Sequence, residues 1–322
     1  MKNMLRNWKY SKKTYRYIKR YTMVHEDLPL KVDLSIVKSS STKYNHRTNR
    51  RYFVPTLKIE ESNVFNNPEN YEIEIELDND IINENRKLQQ NKLAVNKDSE
   101  VLVELEKKIK RCIKYIMSGI QNSNFPISYT EQKDVLEEYF KKINFIKNEK
   151  NKDDKVDFRI DTRDFIGPQP VSLEMKNVIS LKDDINAPNI NASYSVTEKA
   201  DGIRKLLYIN KKGKVYLINQ QMDVEFTGSV TDNKEVYNTI LDGEHVLYNK
   251  KHSYINSFLC FDIYIYSGID CRMLSLFKKP TDTDEKKKTK DYRMRILEAS
   301  VKKLKLKSIV HSGQFKVSIK RF

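Results

Sequence analysis

Strictly alternating polar and apolar residues mark two segments within the first ninety residues. Residues 30–37 read LKVDLSIV, and residues 71–77 read YEIEIEL. A period of two is that of a β-strand, whose successive side chains point to opposite faces. The pattern therefore predicts two strands of an antiparallel sheet. Residues 15–21 predict a further strand, which carries Arg16, Lys19 and Arg20.

Each of the two alternating strands has a charged face. Lys31 and Asp33 share a face of the first strand, and Glu72, Glu74 and Glu76 share a face of the second. Like charges in such a row repel one another unless a cation lies between them, and hard divalent cations bind carboxylate oxygens. Two interpretations stay open. The sheet is either half solvated, with its polar face toward water, or closed into a barrel whose inward glutamates and basic residues hold a metal and a polyphosphate.

Helical patterns follow these strands. Apolar residues recur at intervals of three or four over residues 99–120, which predicts an amphipathic helix. Ser128 and Glu131 have the spacing of a capping box and predict the start of a second helix. Residues 147–157 are dense in charge and of low complexity, and they predict a linker at a domain boundary.

Apolar strand patterns succeed one another after residue 194. The apolar run at residues 258–266 contains a single aspartate, Asp262. A charge inside such a run needs a partner or a function. Thr227 and Gly228 are typical of a strand end. The predicted strands are residues 206–209 and 213–218, which form a hairpin, and residues 222–226, 240–247 and 258–266.

The segment 196–204, VTEKADGIR, lies between two of these apolar runs. The amine of Lys199 can attack a nucleotide α-phosphate. Gly202 permits a backbone bend or a close approach to a ligand. Arg204 offers a forked donor for phosphate or sugar oxygens. On its own, a motif this short is equally well read as a hairpin with a charged turn.

Composition and charge narrow the choice of partner. Hydrophobic residues make up 39% of the chain and charged residues 32%, and no run approaches the roughly 18 apolar residues of a membrane span. The three cysteines lack metal-site spacing, and their odd number favours a reducing compartment. The net charge is +16, and residues 1–60 carry 15 Lys or Arg against 4 Asp or Glu. Residues 278–322 are also basic, with 15 against 5, and basic ends favour a polyanion such as nucleic acid.

Three short motifs occur in one order on successive predicted strands: KADGIR at 199–204, DGE at 242–244 and FD at 261–262. Together they resemble motifs I, III and IIIa of the covalent nucleotidyltransferases, which comprise mRNA capping guanylyltransferases and ATP- or NAD-dependent ligases. Longer phrases, among them ESNVFNNPENYEIEIELD and FIGPQPVSLE, resemble the multifunctional capping enzymes of large cytoplasmic DNA viruses and cytoplasmic linear plasmids. This resemblance covers nearly the whole chain.

The resemblance implies an α+β fold with two activities. Residues 1–90 are similar to part of an antiparallel β tunnel, the fold of metal-dependent RNA 5′-triphosphatases. Residues 91–154 would form a helical connection and linker. Residues 155–322 are similar to the nucleotide-binding domain of a guanylyltransferase, with the ATP-grasp-like antiparallel sheets of the ligase and capping type. The expected reaction is mRNA cap formation, in which GMP passes from GTP to diphosphate-ended RNA through a lysyl-GMP intermediate.

The resemblance also implies roles for individual residues. Lys199 is the expected nucleophile. Arg204 and Glu244 would hold ribose or phosphate, Phe261 would stack on guanine, and Asp262 would orient its neighbours. The full expected nucleotide-binding set is Glu198, Asp201, Gly202, Arg204, Glu244, Phe261 and Asp262. In the tunnel region, the expected metal ligands are Glu72, Glu74 and Glu76, and the expected triphosphate-binding residues are Arg16, Lys19, Arg20, Lys31 and Asp33.

The implied cofactor is Mg²⁺ or Mn²⁺, with GTP as substrate and an RNA 5′ end as partner. A methyltransferase subunit, or the part of the enzyme that this sequence lacks, is a further expected partner, and the expected location is the host cytoplasm or the virion. The sequence shows no early Glu-x-Glu strand, no motif IV or V and no OB domain. We therefore expect a fragment, a split gene or a decayed copy, with little triphosphatase turnover of its own. Two alternatives stay open: an ATP-dependent polynucleotide ligase and an inactive RNA-binding remnant of a capping enzyme.

Overall fold

The computed structural model describes residues 7–25, 28–78, 83, 97–144, 160–179, 189–191, 194–278, 291–310 and 315–322. The chain divides into two compact units, residues 1–113 and 114–322. The expected linker at 147–157 lies outside the described residues. None of the helices in the described ranges is long and apolar enough to cross a membrane.

The first unit is built on a three-stranded antiparallel sheet in the order β1-β2-β5. The two strands predicted from alternation are present as β2 and β5, and the further strand predicted at 15–21 is present as β1, so these predictions are confirmed. A separate two-stranded hairpin, β3-β4, was not predicted. The bounds are β1 Arg16–His25, β2 Leu28–Ser39, β3 Thr42–Asn45, β4 Arg50–Phe53 and β5 Asn70–Leu77.

The strand register places polar residues on one face of this sheet. Thr22, Asp33 and Glu74 lie opposite one another across the three strands, as do Arg20, Ser35 and Glu72. Of the two open interpretations, a polar face turned toward water does not describe the middle of β2, because Asp33 is only 7% exposed and Ser35 0%. The side chain of Arg20 covers both residues: its Nε donates to Ser35 Oγ and its Nη1 to Asp33 Oδ2, each at 3.0 Å.

Apolar side chains occupy the other face and stay largely exposed. Tyr21, Leu34 and Ile73 lie opposite one another in the register. Tyr21 is 47% exposed and Ile73 42%. Alternation therefore predicted which residues share a face, and it did not predict which face is covered.

The second unit is built on an eight-stranded sheet that curls as a half-barrel. Its order is β11-β10-β9-β6-β7-β8-β12, and β13 pairs in parallel with β10 while the other pairs are antiparallel. The expected α+β class, mixed helix and antiparallel sheet, is confirmed. The bounds are β6 Ile203–Ile209, β7 Lys214–Ile218, β8 Val224–Thr231, β9 Thr239–Tyr248, β10 Tyr254–Tyr266, β11 Ile269–Asp270, β12 Leu306–Ser308 and β13 Lys316–Ile319.

The helices are α1 (Lys97–Gln121), α2 (Tyr129–Ile143) and α3 (Arg293–Lys303). The predicted start of α2 is confirmed, since Ser128 Oγ accepts a hydrogen bond from the amide of Glu131 at 3.1 Å. The carboxylate of Glu131 also accepts hydrogen bonds from Lys214 Nζ and Tyr216 Oη, both at 2.7 Å. One residue at the start of α2 thereby ties the helix to β7.

Both faces of the large sheet are buried. Leu206 and Tyr208 pack into a cluster with α2 residues, whereas Leu207 packs into a second cluster with Leu297 of α3 and with Phe315. Leu206, Leu207 and Tyr208 are all 0% exposed. Continuous apolar runs are typical of strands that are covered on both sides. This explains why residues 206–209 are apolar without alternation.

Candidate functional site

The segment that precedes β6 carries the predicted nucleophile. Residues 194–202 are irregular, and Lys199 is exposed there. Lys199, Glu198 and Asp201 line an open groove of ≈ 1920 Å³ within the second unit. The hydroxyl of Thr197 donates a hydrogen bond to the carbonyl oxygen of Arg321, which follows β13. The segment is therefore held at one end by a distant part of the chain and at the other by β6.

Gly202 is required by a close approach of two backbone segments. Its amide donates to Glu244 Oε1 at 3.1 Å. A Cβ atom at this position would lie 2.6 Å from the carbonyl oxygen of His245 and 2.9 Å from Val246 Cγ2. The close approach allowed by the glycine is thus to β9, and it brings the expected residue Glu244 against the motif that contains Lys199.

Arg204 is fixed by a buried carboxylate. Its Nε donates to Asp242 Oδ1 at 3.1 Å and its Nη2 to Asp242 Oδ2 at 2.5 Å, while Nη1 donates to the carbonyl oxygen of Pro168. Tyr264 Oη also donates to Asp242 Oδ2, at 2.5 Å. A bidentate pair of this kind orients a guanidinium firmly. The orientation of Arg204 is therefore set by Asp242, which was not among the expected site residues.

Burial and pairing shape the charge of this pair. Burial opposes the charge on the Arg204 guanidinium, but the hydrogen bonds and the charge of Asp242 outweigh it, so the pKa of Arg204 lies above its ordinary value. Burial also raises the pKa of Asp242, and the hydrogen bonds from Arg204 and Tyr264 oppose that rise. The Arg204 guanidinium therefore stays protonated, and its charge is balanced by the Asp242 carboxylate.

Phe261 lies beside two cations. The Cζ atom of Arg204 is 5.7 Å from the centroid of its ring, and Lys320 Nζ is 5.9 Å from it. The neighbouring Asp262 has a different partner: its Oδ1 accepts from Arg293 Nε at 2.7 Å and its Oδ2 from Arg293 Nη2 at 3.1 Å. The predicted need for a partner in this apolar run is confirmed, and the partner lies at the first residue of α3.

The expected nucleotide-binding residues are divided between two sides of β6. Because neighbours along a strand point to opposite faces, Lys205 lines the groove and Arg204 points to the other face. Arg204 and Phe261 are not among the described residues that line the groove. Lys320 belongs to both sides, since it lines the groove and also approaches the Phe261 ring.

A polar network in the groove was missed from the sequence. Lys205 Nζ donates to Glu225 Oε2 at 2.5 Å and lies 3.3 Å from His245 Nδ1, and His245 Nε2 is 2.9 Å from Asn256 Oδ1. Burial lowers the pKa of His245, which is 5% exposed. A signal was present for Glu225, which lies between the apolar Val224 and Phe226 of a predicted strand, but Lys205 only precedes the apolar run 206–209.

In the first unit, the structure brings most of the expected tunnel residues onto the polar face of the sheet. Carboxylate oxygens of Asp33, Glu74 and Glu76 lie within 4.8 Å of one another. Arg20 Nη2 donates to Glu74 Oε2 at 3.0 Å, which supplies a cation between the carboxylates. The three carboxylates that converge thus include Asp33 with Glu74 and Glu76, whereas the expected metal ligand Glu72 is not among them.

The remaining expected tunnel residues are distributed as follows. Glu72 accepts hydrogen bonds from Arg16 Nη2 at 2.8 Å. Lys31 forms an ion pair with Asp78 at 2.8 Å. Lys19 lies opposite Ile36 in the register, on the apolar face, and its Nζ is 5.3 Å from the Tyr21 ring centroid. Lys19 is therefore separated from the face that carries Arg16 and Arg20.

Comparisons with known proteins indicate a capping-enzyme domain in the second unit. Residues 122–321 match a family model described as mRNA capping enzyme, catalytic domain. A probable mRNA-capping enzyme of Acanthamoeba polyphaga mimivirus is 27% identical over 214 residues, which are 66% of this chain and 14% of that protein. An mRNA-capping enzyme of Danio rerio is 31% identical over 114 residues, which are 34% of this chain and 18% of that protein. The chain thus spans less than a fifth of the length of either relative.

Proposed function

The chain belongs to the family of mRNA capping enzyme catalytic domains, and from this premise we propose that it transfers GMP from GTP to a diphosphate-ended RNA. The observation that carries the proposal is the arrangement of the KADGIR segment. Lys199 lines the groove, while Gly202 is bonded to Glu244 and Arg204 to Asp242. The relatives' names state mRNA capping, which is the same chemistry.

The proposed reaction has two steps. The Lys199 amine attacks the α-phosphorus of GTP, a P–N bond forms, the bond to the β-phosphate oxygen breaks, and pyrophosphate leaves. The amine proton passes to solvent. An oxygen of the RNA diphosphate end then attacks the same phosphorus, the P–N bond breaks, and the lysine amine is regenerated. The product is GMP joined to RNA through a triphosphate bridge.

The surrounding residues take positioning roles in this proposal. Arg204, held by Asp242, offers charge to ribose or phosphate oxygens, and Phe261 offers a ring face to guanine. Both do so from the side of β6 that faces away from the groove, so GTP would reach Lys199 past the start of β6. Glu244 holds the amide of Gly202 and so fixes the turn that presents Lys199. Asp262 acts indirectly, through Arg293.

A divalent cation enters this step with the substrate. Among the described residues of 114–322, no three acidic, His or Cys side chains converge as a candidate metal site. Mg²⁺ is commonly bound by substrate phosphates with one or two carboxylates, and Glu198 and Asp201 line the groove. Mg²⁺ or Mn²⁺ on the triphosphate would neutralise the charge of the leaving group.

Label transfer tests the guanylyl-transfer proposal. Incubation with α-labelled GTP and Mg²⁺ or Mn²⁺, followed by peptide mapping, should place the label on Lys199. Lys199→Arg should abolish labelling, because guanidinium stays protonated and cannot attack. Lys114→Arg, at another lysine of the groove, is the matched control and should keep the label. Label on a different lysine, or stronger labelling from ATP as expected of a ligase, would contradict the proposal.

We propose a second activity, RNA 5′-triphosphatase, for which residues 1–90 supply part of the enzyme. Residues 91–154 would join this part to the guanylyltransferase region at 155–322. The polar face supports it, since the Asp33, Glu74 and Glu76 carboxylates converge beside Arg20. Carboxylate oxygens fit Mg²⁺ or Mn²⁺. Bound there, the ion would stabilise charge on a phosphoryl group, and Arg16 and Arg20 would attract the triphosphate.

Manganese binding tests this second activity without any turnover. Electron paramagnetic resonance on the full chain should show Mn²⁺ binding that weakens on the order of tenfold in Glu74→Gln, because a hard cation loses a charged oxygen ligand. Glu72→Gln, whose carboxylate is paired with Arg16 instead, is the control and should bind Mn²⁺ as before. Equal loss in both variants, or no loss in Glu74→Gln, would remove the site. Release of γ-phosphate from triphosphate-ended RNA is the companion assay.

A further inference from the structure

The hairpin between β9 and β10 presents two exposed aromatic rings. Tyr248 and Tyr254 lie opposite each other across the strand pair. Their ring centroids are 5.6 Å apart at an interplanar angle of 67°, and the residues are 57% and 52% exposed. The turn between them is well defined: the amide of Asn249 donates to the Ser253 carbonyl at 3.0 Å, and that of His252 to the Asn249 carbonyl at 2.9 Å.

These tyrosines line the same groove as Lys199. The groove is basic, because six Lys or Arg side chains line it together with three carboxylates. One carboxylate, Glu225, is already paired with Lys205 at 2.5 Å. Lys250 extends the positive charge to the hairpin, and Lys320 and Arg321 extend it along β13. A positively charged surface thus runs from the candidate nucleophile to the aromatic pair.

The size of the groove excludes a mononucleotide as its full occupant. Its volume is ≈ 1920 Å³, whereas small-molecule pockets measure about 300–1,000 Å³. Grooves that bind single-stranded nucleic acid combine basic side chains that follow the backbone with aromatic rings on which bases stack. Both components are present here, at the two ends of one surface.

We propose that this groove holds the first nucleotides of the acceptor RNA, with a base stacked on the Tyr248–Tyr254 pair and its phosphates near Lys250. The inference rests on the proposed guanylyl transfer, and it extends that proposal from the RNA end to the path of the RNA strand. It makes the aromatic pair a binding element for single-stranded RNA of any sequence, since every base has a face that can stack.

Fluorescence anisotropy tests the inference. The measurement uses the full chain and a 3′-labelled, diphosphate-ended RNA of about ten nucleotides, which is within the range of site sizes for such grooves. The double variant Tyr248→Ala/Tyr254→Ala should bind on the order of tenfold more weakly, the loss expected for one stacked base. Tyr254→Phe keeps the ring and should bind as the unchanged protein does. Tyr129→Ala, an exposed tyrosine of the second unit that does not line the groove, is the matched control.

An abasic version of the same RNA separates stacking from charge. It should bind the double variant and the unchanged protein equally, because no base remains to stack. Lys250→Gln should lower the slope of log affinity against log salt by about 0.7, the value for one phosphate of a single strand. The proposal is overturned if the double variant keeps its far-UV circular dichroism spectrum and binds RNA as tightly as the unchanged protein. The exposed tyrosines would then be assigned to binding of a protein partner.

Failure of this inference can be told apart from failure of the proposed function. Labelling of Lys199 by GTP needs no RNA, and the anisotropy measurement needs no GTP. If Lys199 is labelled by GTP but the RNA affinity is unchanged when both tyrosines are replaced, only the proposed RNA path is contradicted. If the RNA affinity depends on the tyrosines but no lysyl-GMP forms, the result supports the proposed RNA path and contradicts the proposed guanylyl transfer.

Discussion

The two sheets of this chain are stabilised in different ways. In the eight-stranded sheet, apolar side chains are covered on both faces, and Leu206 and Leu207, neighbours on opposite faces, are each 0% exposed. In the three-stranded sheet, the apolar face is largely exposed, with Ile73 at 42%. The best-buried polar residues there, Asp33 and Ser35, lie beneath Arg20 on the opposite face.

This difference shows that an alternating pattern fixes which residues share a face, and that a second layer decides whether the face contributes hydrophobic stabilisation. Helices α2 and α3 supply such layers to the large sheet. The small sheet relies more on cross-strand hydrogen bonds and ion pairs, and exposed ion pairs contribute only about 0–1 kcal/mol each. We therefore expect equivalent substitutions in the two sheets to differ several-fold in cost.

The largest expected effect comes from truncating equivalent leucine and isoleucine side chains. Leu207→Ala should lower the free energy of unfolding of the second unit by about 2–5 kcal/mol, because the leucine is fully buried and leaves a cavity. Ile75→Ala, at 37% exposure in β5, should cost about 1 kcal/mol or less. Hydrogen–deuterium exchange, read separately on peptides of each unit, measures both. Equal costs would show that the apolar face of the small sheet is covered in solution.

A smaller difference is expected from removing one partner of an ion pair. Asp262→Ala should destabilise the second unit by about 3 kcal/mol, because the side chain of Arg293 is only 19% exposed and would lose its counter-charge. Glu72→Ala should cost about 1 kcal/mol or less, since the side chains of Arg16 and Glu72 are 49% and 39% exposed. The same exchange experiment reads both variants. A loss in Glu72→Ala as large as that in Asp262→Ala would mean that the ion pairs of the small sheet carry its stability.

The smallest expected effect is a loss of folding stability at acid pH, caused by His245 of the large sheet. Burial lowers the pKa of His245 below its ordinary 6.5. Below about pH 6.5 this side chain therefore binds a proton in the unfolded chain more readily than in the folded chain. Stability should therefore fall as the pH decreases from 6.5, by at most about 1.4 kcal/mol per pH unit. Urea unfolding of the unchanged protein and of His245→Gln at several pH values measures this slope. A slope that persists in the variant would assign the titration to a group other than His245.

Local pattern predicted most of the strands that position the candidate site, but not their full extent. The strand expected to end at Gly228 continues to Thr231, because Gly228 adopts a φ of +71° inside it. A Cβ there would lie 2.4 Å from atoms of the Phe125 ring. The glycine is explained by a side chain about a hundred residues earlier, which no local pattern reveals.

Partnerships across the sheet were likewise beyond local reasoning. The motif residues Gly202 and Arg204 could be named, but their partners Glu244 and Asp242 follow from the β6–β9 register. The order of charges on β5 was clear from the sequence, whereas the choice of Asp33 over Glu72 as neighbour of Glu74 and Glu76 depends on where Arg16 and Arg20 reach. Residue types could thus be predicted, and pairings could not.

The hydrogen bond between Thr197 and Arg321 has a consequence for synthesis of the chain. The two residues are 124 positions apart, so at about 5–20 residues per second the second is translated on the order of ten seconds after the first. Once β10 has been translated, it lacks its parallel neighbour β13 until residues 316–319 follow, and until then the core position of Phe315 is also empty. The segment that carries Lys199 is therefore anchored at its amino-terminal side only after a further 124 residues have been translated, when most of the strands of the supporting sheet already exist.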